Sequence, residues 1–193
     1  MNSLDRLNED GLLSNEDKVL LKDLAKGNEN ILVIGNDKQM SGLLLMAILQ
    51  ERLRNEDGWY FKDRDDLNLA SLAPRFTVLK SNMVQSYEDA RELVRVMPFI
   101  PIVIDEINTP AIAKFFLECC VGLRSRVTAT YTGHGDVINA FKSFAQLTRE
   151  TEGVDHRTPE MVVDYVRGMV KVFVIYAEED GQKKVAVVDN RRK

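Results

Sequence analysis

The feature that most constrains the fold of this chain is a regular alternation of short apolar runs with longer amphipathic segments. Apolar runs of about five residues are typical of strands buried on both faces, and longer segments with apolar residues at helical spacing are typical of helices. Such alternation predicts a three-layer α/β fold, with a mainly parallel sheet between helices. The predicted strands are 31–35, 75–79, 101–105 and 126–130, and the predicted helices are 14–25, 41–54, 86–96, 109–123, 136–149 and 158–170.

The last segment predicts an antiparallel hairpin. Apolar runs at 171–176 and 184–189 flank the turn residues Glu178 to Gly181, in which Asp-Gly supplies the reversal. By contrast, residues 55–74 are charged and irregular, and we expect a loop or a short surface element there. Its charge run, Asp63 to Asp66, is expected to be solvated.

The chain length sets the expected domain organisation. Its 193 residues are enough for one well-filled core but not for two large domains. We therefore expect a single core domain over residues 1–193, with an N-terminal helix within 1–27 and the hairpin within 171–190.

Charge and cysteine usage restrict partners and compartment. The net charge is −4, which disfavours nucleic acid as a direct partner. The two cysteines are the neighbours Cys119 and Cys120, which cannot easily form a relaxed disulfide, as expected in a reducing compartment. No apolar run approaches the roughly 20 residues of a membrane span, and residues 1–15 do not resemble a signal peptide. We expect a cytoplasmic protein.

A candidate phosphate loop follows the first predicted strand. Ligands of parallel sheets lie at the carboxyl ends of the strands, and the working loop is Gly, four residues, Gly, Lys, then Ser or Thr. Gly35 matches, but Met40, Ser41 and Gly42 fill the glycine, lysine and hydroxyl positions. Tight nucleotide binding by the usual chemistry is therefore not expected. Lys38 and a shifted Ser41 are the candidates to compensate; a solvent-facing lysine is the simpler interpretation of Lys38.

Two carboxylates end the strand 101–105. In nucleotide hydrolases, the first acid of such a pair orients Mg²⁺ through water and the second polarises the attacking water. By this pattern, Asp105 would be the acid that orients Mg²⁺ and Glu106 the acid that polarises the attacking water. The alternative is that they begin a polar loop before a helix capped by Thr109, with Pro110 at its first position.

Together these segments suggest a family. Gly11 to Leu21 and Asn28 to Gly35 resemble the approach to the phosphate loop in the secretion and pilus-motor ATPases of type II and type IV systems. Asp105 to Ala113 keeps the family's glutamate at Glu106, and Val121 to His134 is similar to its histidine-box segment. Met161 to Asn190 looks like its closing helix and hairpin. The resemblance spans residues 10–190 and implies a RecA-like P-loop NTPase fold, with Mg-ATP as the cofactor of active members.

Several family positions are changed, and the changes concern hydrolysis. The phosphate loop lacks its lysine. Lys80 and Ser81 stand where the family has two carboxylates, in its acidic box. Asn108 and Thr109 stand where an arginine and an aspartate follow the family's acidic strand, and Thr132 stands at the position of the histidine in its histidine box. His134, two residues later, is either a displaced functional histidine or a loop histidine bonded to nearby backbone. Four departures imply relaxed selection on hydrolysis.

Three functional hypotheses follow. The favoured one is a catalytically inactive secretion-ATPase-like protein, without a cofactor, that acts as a structural or regulatory component of a secretion, conjugation or pilus machine. Its partners would be other protein subunits, copies of itself included. The second is an active ATPase with a divergent loop, in which Glu106 is the base, Asp105 holds Mg²⁺ and Lys38 contacts the phosphates of ATP. The third is an inactive subunit of a DNA-handling nucleotidase assembly.

Overall fold

The computed structural model describes residues 3–53, 56–69, 72, 74–80, 89, 91–92, 100–121, 126–134, 137–152, 158–179 and 181–190. Within them, seven strands form one sheet and helices cover both of its faces. The strands are β1 (Ile31–Gly35), β2 (Gly58–Lys62), β3 (Phe76–Lys80), β4 (Ile102–Ile104), β5 (Val127–Thr132), β6 (Val172–Glu179) and β7 (Gln182–Asp189). The helices are α1 (Leu4–Glu9), α2 (Asn15–Lys26), α3 (Lys38–Arg52), α4 (Pro110–Val121), α5 (Val137–Glu152) and α6 (Pro159–Met169).

The sheet is parallel except at its end. Its strand order is β3-β2-β4-β5-β1-β6-β7, and the β6–β7 pair alone is antiparallel. The hairpin strands are longer than predicted and turn through Gly181, whose φ of 73° favours glycine. The predicted architecture, a mainly parallel sheet with a C-terminal antiparallel hairpin, is confirmed.

Several helix ends are where the sequence predicts them. Ser14 accepts a hydrogen bond from the Asp17 amide at 3.0 Å and caps α2, which ends at Gly27. Thr158 caps α6 in the same way. Thr109 accepts from the Ile112 amide at 3.3 Å at the start of α4. These caps are local features of the chain, which is why they could be predicted.

The central strands separate two cores. Leu32 and Ile34 of β1 pack in a cluster with α4, α5 and α6, whereas Ile31 and Val33 face a cluster that includes α1, α2 and α3. All five residues of β1 are buried, as expected for a strand covered on both faces. The helices in the described part of the chain include none long and apolar enough to span a membrane.

The expectation of a loop or short surface element over 55–74 is wrong. Strand β2 lies inside the sheet between β3 and β4, and its Trp59, Tyr60 and Phe61 are buried. Gly58 lies against the ring of Phe76, where a Cβ would be 2.3 Å from the ring. Pairing with two neighbours buries this short aromatic run although its flanks are charged.

The N-terminal part of the chain also differs from the prediction. Helix α3 begins at Lys38, three residues before the predicted start at Ser41, so that Lys38 lies in the first turn of a helix. The N-terminal region contains two helices, α1 and α2, where one was expected. The predicted helix 86–96 falls mostly outside the described residues, as does Ser81.

Candidate functional site

The carboxyl ends of four parallel strands bring most of the predicted site residues to one edge of the sheet. The Gly133 amide donates to the Gly35 carbonyl at 2.9 Å, which joins the ends of β5 and β1. The Ile107 amide donates to the Thr130 carbonyl at 2.8 Å and joins the segment after β4 to β5. Glu106 and Thr132 therefore meet at this edge, and His134 follows β5 as an exposed residue.

Only two residues, Asn36 and Asp37, connect β1 to α3. The Asp37 carboxylate caps the helix, because its Oδ1 accepts from the Gln39 amide at 2.8 Å and from the Met40 amide at 3.1 Å. Free amides at a helix N-terminus are the groups that bind a phosphate in a phosphate loop. Here the carboxylate of Asp37 accepts from two of these amides. The helix begins at Lys38, so the loop of four residues that follows the first glycine of a working phosphate loop is not formed.

Ser41 and Gly42 lie within α3 and are buried. The Ser41 hydroxyl donates to the Asp37 carbonyl at 2.9 Å, so it is already used inside the helix. A Cβ on Gly42 would lie 2.7 Å from Nη2 of Arg64. The glycine thus allows a guanidinium to lie directly against the helix.

Asp105 is a fully buried hydrogen-bond acceptor. Its Oδ1 accepts from the Asp63 amide at 2.7 Å, and its Oδ2 accepts from the Tyr60 hydroxyl at 2.5 Å and the Arg64 amide at 3.2 Å. Burial raises the pKa of Asp105, although these three donors oppose the change. The side chain ties the segment after β4 to β2 and the segment that follows it.

Glu106 is paired with the end of β5. Its Oε1 accepts from the Thr132 amide at 2.8 Å, and its Oε2 from the Thr132 hydroxyl at 3.1 Å. Burial raises the pKa of Glu106, while the Thr132 donors and the positive charges of Lys38 and Arg64 oppose the change. Thr132, the residue at the histidine-box position, therefore bonds to the predicted catalytic glutamate.

Arg64 is a member of this site that sequence reasoning missed. We expected its charge run to be solvated, but the Arg64 side chain is 0% exposed. Its Nε and Nη2 donate to Asp66 at 3.1 and 2.6 Å, and its charge acts on Asp105 and Glu106 as well. Nη1 has no hydrogen-bond partner among the described residues. The available signal was the run of three aromatic residues, Trp59 to Phe61, which ends three residues before this arginine.

A magnesium nucleotide held in the usual way would need free carboxylate oxygens, a hydroxyl and space for the metal ion at this edge. Both oxygens of Asp105 are engaged by protein donors, Gly42 offers no hydroxyl, and the buried cation of Arg64 lies against this turn of the helix. Across the described residues, no group of three or more His, Cys, Asp or Glu is placed to hold a metal ion. The arrangement does not fit a magnesium nucleotide held in the usual way.

Comparisons with known proteins identify the fold. No protein-family model matches the chain, and no curated protein matches it. Among solved structures, the VirB11 ATPase of the Brucella suis type IV secretion system is similar, with a TM-score of 0.75 and 16% identity over 98% of this chain and 55% of that one. The ATPase DotB of Yersinia pseudotuberculosis is similar with a TM-score of 0.60 and 13% identity, over 95% of this chain and 48% of that one. The ADP-bound pilus retraction motor PilT is similar with a TM-score of 0.54 and 11% identity, over 98% of this chain and 54% of that one.

The chain therefore spans about half the length of these structures, 48–55% of each. At such low identity the likeness concerns the fold alone. The chain has the three-layer RecA-like α/β fold of these secretion and pilus ATPases, as the resemblance in its sequence implied.

Proposed function

We propose that this chain is a catalytically inactive, secretion-ATPase-like protein that acts by binding other subunits, as a structural or regulatory component of a secretion, conjugation or pilus machine. The observation that carries the proposal is the Asp37 cap. Its carboxylate accepts from two amides at the start of α3, where the phosphates of a nucleotide would bind. An incoming phosphate would have to displace a covalently attached anion and would meet its negative charge.

A second internal charge supports the same function. Arg64 lies against Gly42, which occupies the position of the hydroxyl that binds Mg²⁺ in a working loop, and its positive charge acts on Asp105 and Glu106. The carboxylate of Asp37 thus lies where the phosphates of a nucleotide would bind, and the guanidinium of Arg64 lies where its Mg²⁺ would bind. With these two internal charges, the carboxyl-end edge of the sheet keeps its structure without a nucleotide. Such stability is expected of a subunit that acts by binding other proteins through its surface.

The class of machine is inferred from the fold. VirB11 belongs to a type IV secretion system and PilT is a pilus retraction motor, and both have the fold of this chain. We propose that the chain is cytoplasmic and contacts proteins rather than nucleic acid, since its net charge of −4 provides no basic field.

Titration with a fluorescent, non-hydrolysable ATP analogue and Mg²⁺ tests the proposal. We expect no binding tighter than about 0.1 mM for the unmodified chain. Lys38→Ala would leave this result unchanged, as would Lys26→Ala, a matched exposed lysine on α2. Salt-sensitive binding of duplex DNA in a parallel titration would instead favour the DNA-handling assembly.

The competing function is an ATPase with a divergent loop, and one observation favours it. The positive charge of Lys38 acts on the carboxylates of both Glu106 and Asp66, so this lysine lies near the acidic residues of the candidate site. Analogue binding tighter than about 0.1 mM that is lost in Lys38→Ala but kept in Lys26→Ala would establish that function and overturn ours. Loss of turnover in Glu106→Gln would then identify the base.

A further inference from the structure

The face of the β6–β7 hairpin turned away from α2 is only partly covered. Val172, Val174 and Val185 point into the core that contains α2, whereas Phe173 points to the opposite face. Val188, the partner of Phe173 in the hairpin, is 36% exposed. A groove of about 460 Å³ opens here, lined by Arg167, Gly168, Lys171, Phe173, Ile175, Val188 and Asn190. Its floor is apolar and its rim includes two cations.

The outer face of α6 borders this groove and has a polarised charge pattern. Glu160 and Asp164 lie in its N-terminal half, Arg167 in its last turn, and Lys171 just beyond it. All four side chains are exposed, and their spacing places Glu160, Asp164 and Arg167 on one face of α6. Lys171 follows the end of the helix, where its Nζ donates to the Gly168 carbonyl at 3.0 Å. Met161 lies beside this row of charges, about 100° around the helix from Glu160 and on the same side as Gly168, and it is 54% exposed. The acidic half and the basic half of this face are complementary to each other.

We propose that α6 and the hairpin groove form a two-fold interface between two copies of this chain. In an antiparallel pairing centred near residue 165, Glu160 faces Lys171 of the second copy and Asp164 faces its Arg167. Met161, on the same side of α6 as Gly168, then lies within about two residues of the level of Gly168 of the second copy and enters the groove there. A Cβ on Gly168 would have nothing within 4 Å, so the surface at this point is open. Each contact occurs twice, as an isologous interface requires.

The edge of the hairpin favours a helical occupant over an added strand. The outward amide of Val185 donates to the Leu12 carbonyl at 2.9 Å, and that of Val187 donates to Asp17 at 3.3 Å. These two donors of β7 are therefore not available to a further strand. The described residues include four exposed large hydrophobic side chains, and two of them, Met161 and Val188, lie at this interface. The apolar surface and the charges thus coincide.

Charge reversal tests the interface. Sedimentation of the 193-residue chain at low salt, from about 1 to about 500 µM, should show a monomer–dimer equilibrium that weakens as salt is added. An acidic variant, Arg167→Glu with Lys171→Glu, and a basic variant, Glu160→Lys with Asp164→Lys, should each self-associate about tenfold or more weakly, because like charges then face each other. An equimolar mixture of the two should form a heterodimer, since both charge clusters become complementary again.

Matched controls lie on α2, away from the groove. Lys26→Glu and Asp23→Lys change exposed charges of the same kinds and should leave the dimer intact. A wild-type chain that stays monomeric throughout would overturn the proposal. So would a dimer that both reversed variants retain, because it would use another surface. Heterodimer formation in the mixture also demonstrates that both variants fold, so a lack of dimer in the mixture, with native circular dichroism for each variant, would overturn it as well.

Discussion

Replacing Asp105 by alanine should lower the free energy of unfolding by about 3–6 kcal/mol, because three donors lose their acceptor at once. The donors are the Tyr60 hydroxyl and the amides of Asp63 and Arg64. Each buried donor left without a partner costs about 1–3 kcal/mol. The sum is kept below its upper limit because Asp63 is half-buried and because removing the carboxylate also removes the cost of burying its charge.

A matched control and a double-mutant cycle separate this effect from a general effect of charge. Asp65 is fully exposed and pairs with Lys62 at 3.3 Å, so Asp65→Ala should leave the free energy of unfolding nearly unchanged. Combining Tyr60→Phe with Asp105→Ala should reveal a coupling of about 1.5–3 kcal/mol, the range for a hydrogen bond to a charged group. Urea unfolding can be followed by the fluorescence of the single tryptophan, Trp59, which lies beside Tyr60 in β2.

Two results would refute this reasoning. If Asp105→Ala were as mild as Asp65→Ala, the three hydrogen bonds would not hold the segment after β4 in place. If Mg²⁺ stabilised the wild type but not Asp105→Asn, then Asp105 would be a metal ligand rather than a structural acceptor.

Three further predictions concern the same edge of the sheet. Burial raises the pKa of Glu106 above its ordinary value of 4.5, so its ionised form opposes folding, and this opposition disappears below about pH 4.5. Glu106→Gln should therefore be stabilising at pH 8, with a gain that shrinks towards pH 4 in urea unfolding; a gain that grows towards pH 4 would contradict the sign. The Cβ of Gly42→Ala meets the buried Arg64 at a cost of about 1–3 kcal/mol, which a helix-propensity gain of about 0.5–1 kcal/mol only partly offsets, so this variant should be destabilised. Gly168→Ala, in open space, has only that gain and should stabilise the dilute monomer by about 0.5–1 kcal/mol. Equal thermal shifts for the two glycine variants would exclude the close contact. Asp37→Ala should cost about 0.5–2 kcal/mol through loss of the cap, and Asp37→Ser less, as thermal unfolding will show; equal losses in the two would mean that capping is not the role of Asp37.

The sequence alone determined the layers of this protein and many of its boundaries. Apolar runs and helical periodicity depend on residues close together in the chain, and so do the caps at Ser14, Thr109 and Thr158. That the candidate residues Gly35, Glu106 and Thr132 share one edge of the sheet was predictable too, because the carboxyl ends of parallel strands meet there. Asp37 was also a local signal, since aspartate at a helix start is a preferred cap, but it lies within the segment interpreted as a phosphate loop.

Only the tertiary structure decided how the charges at that edge are arranged. Arg64 lies in a run of charged residues that favours solvent, and it is buried because β2 enters the sheet and Gly42 leaves room for it. Asp105 is bonded to an amide 42 residues earlier, and Glu106 to a threonine 26 residues later. Whether a carboxylate holds a metal or a neighbouring strand depends on which donors the sheet order brings to it. No local pattern of residues contains that information.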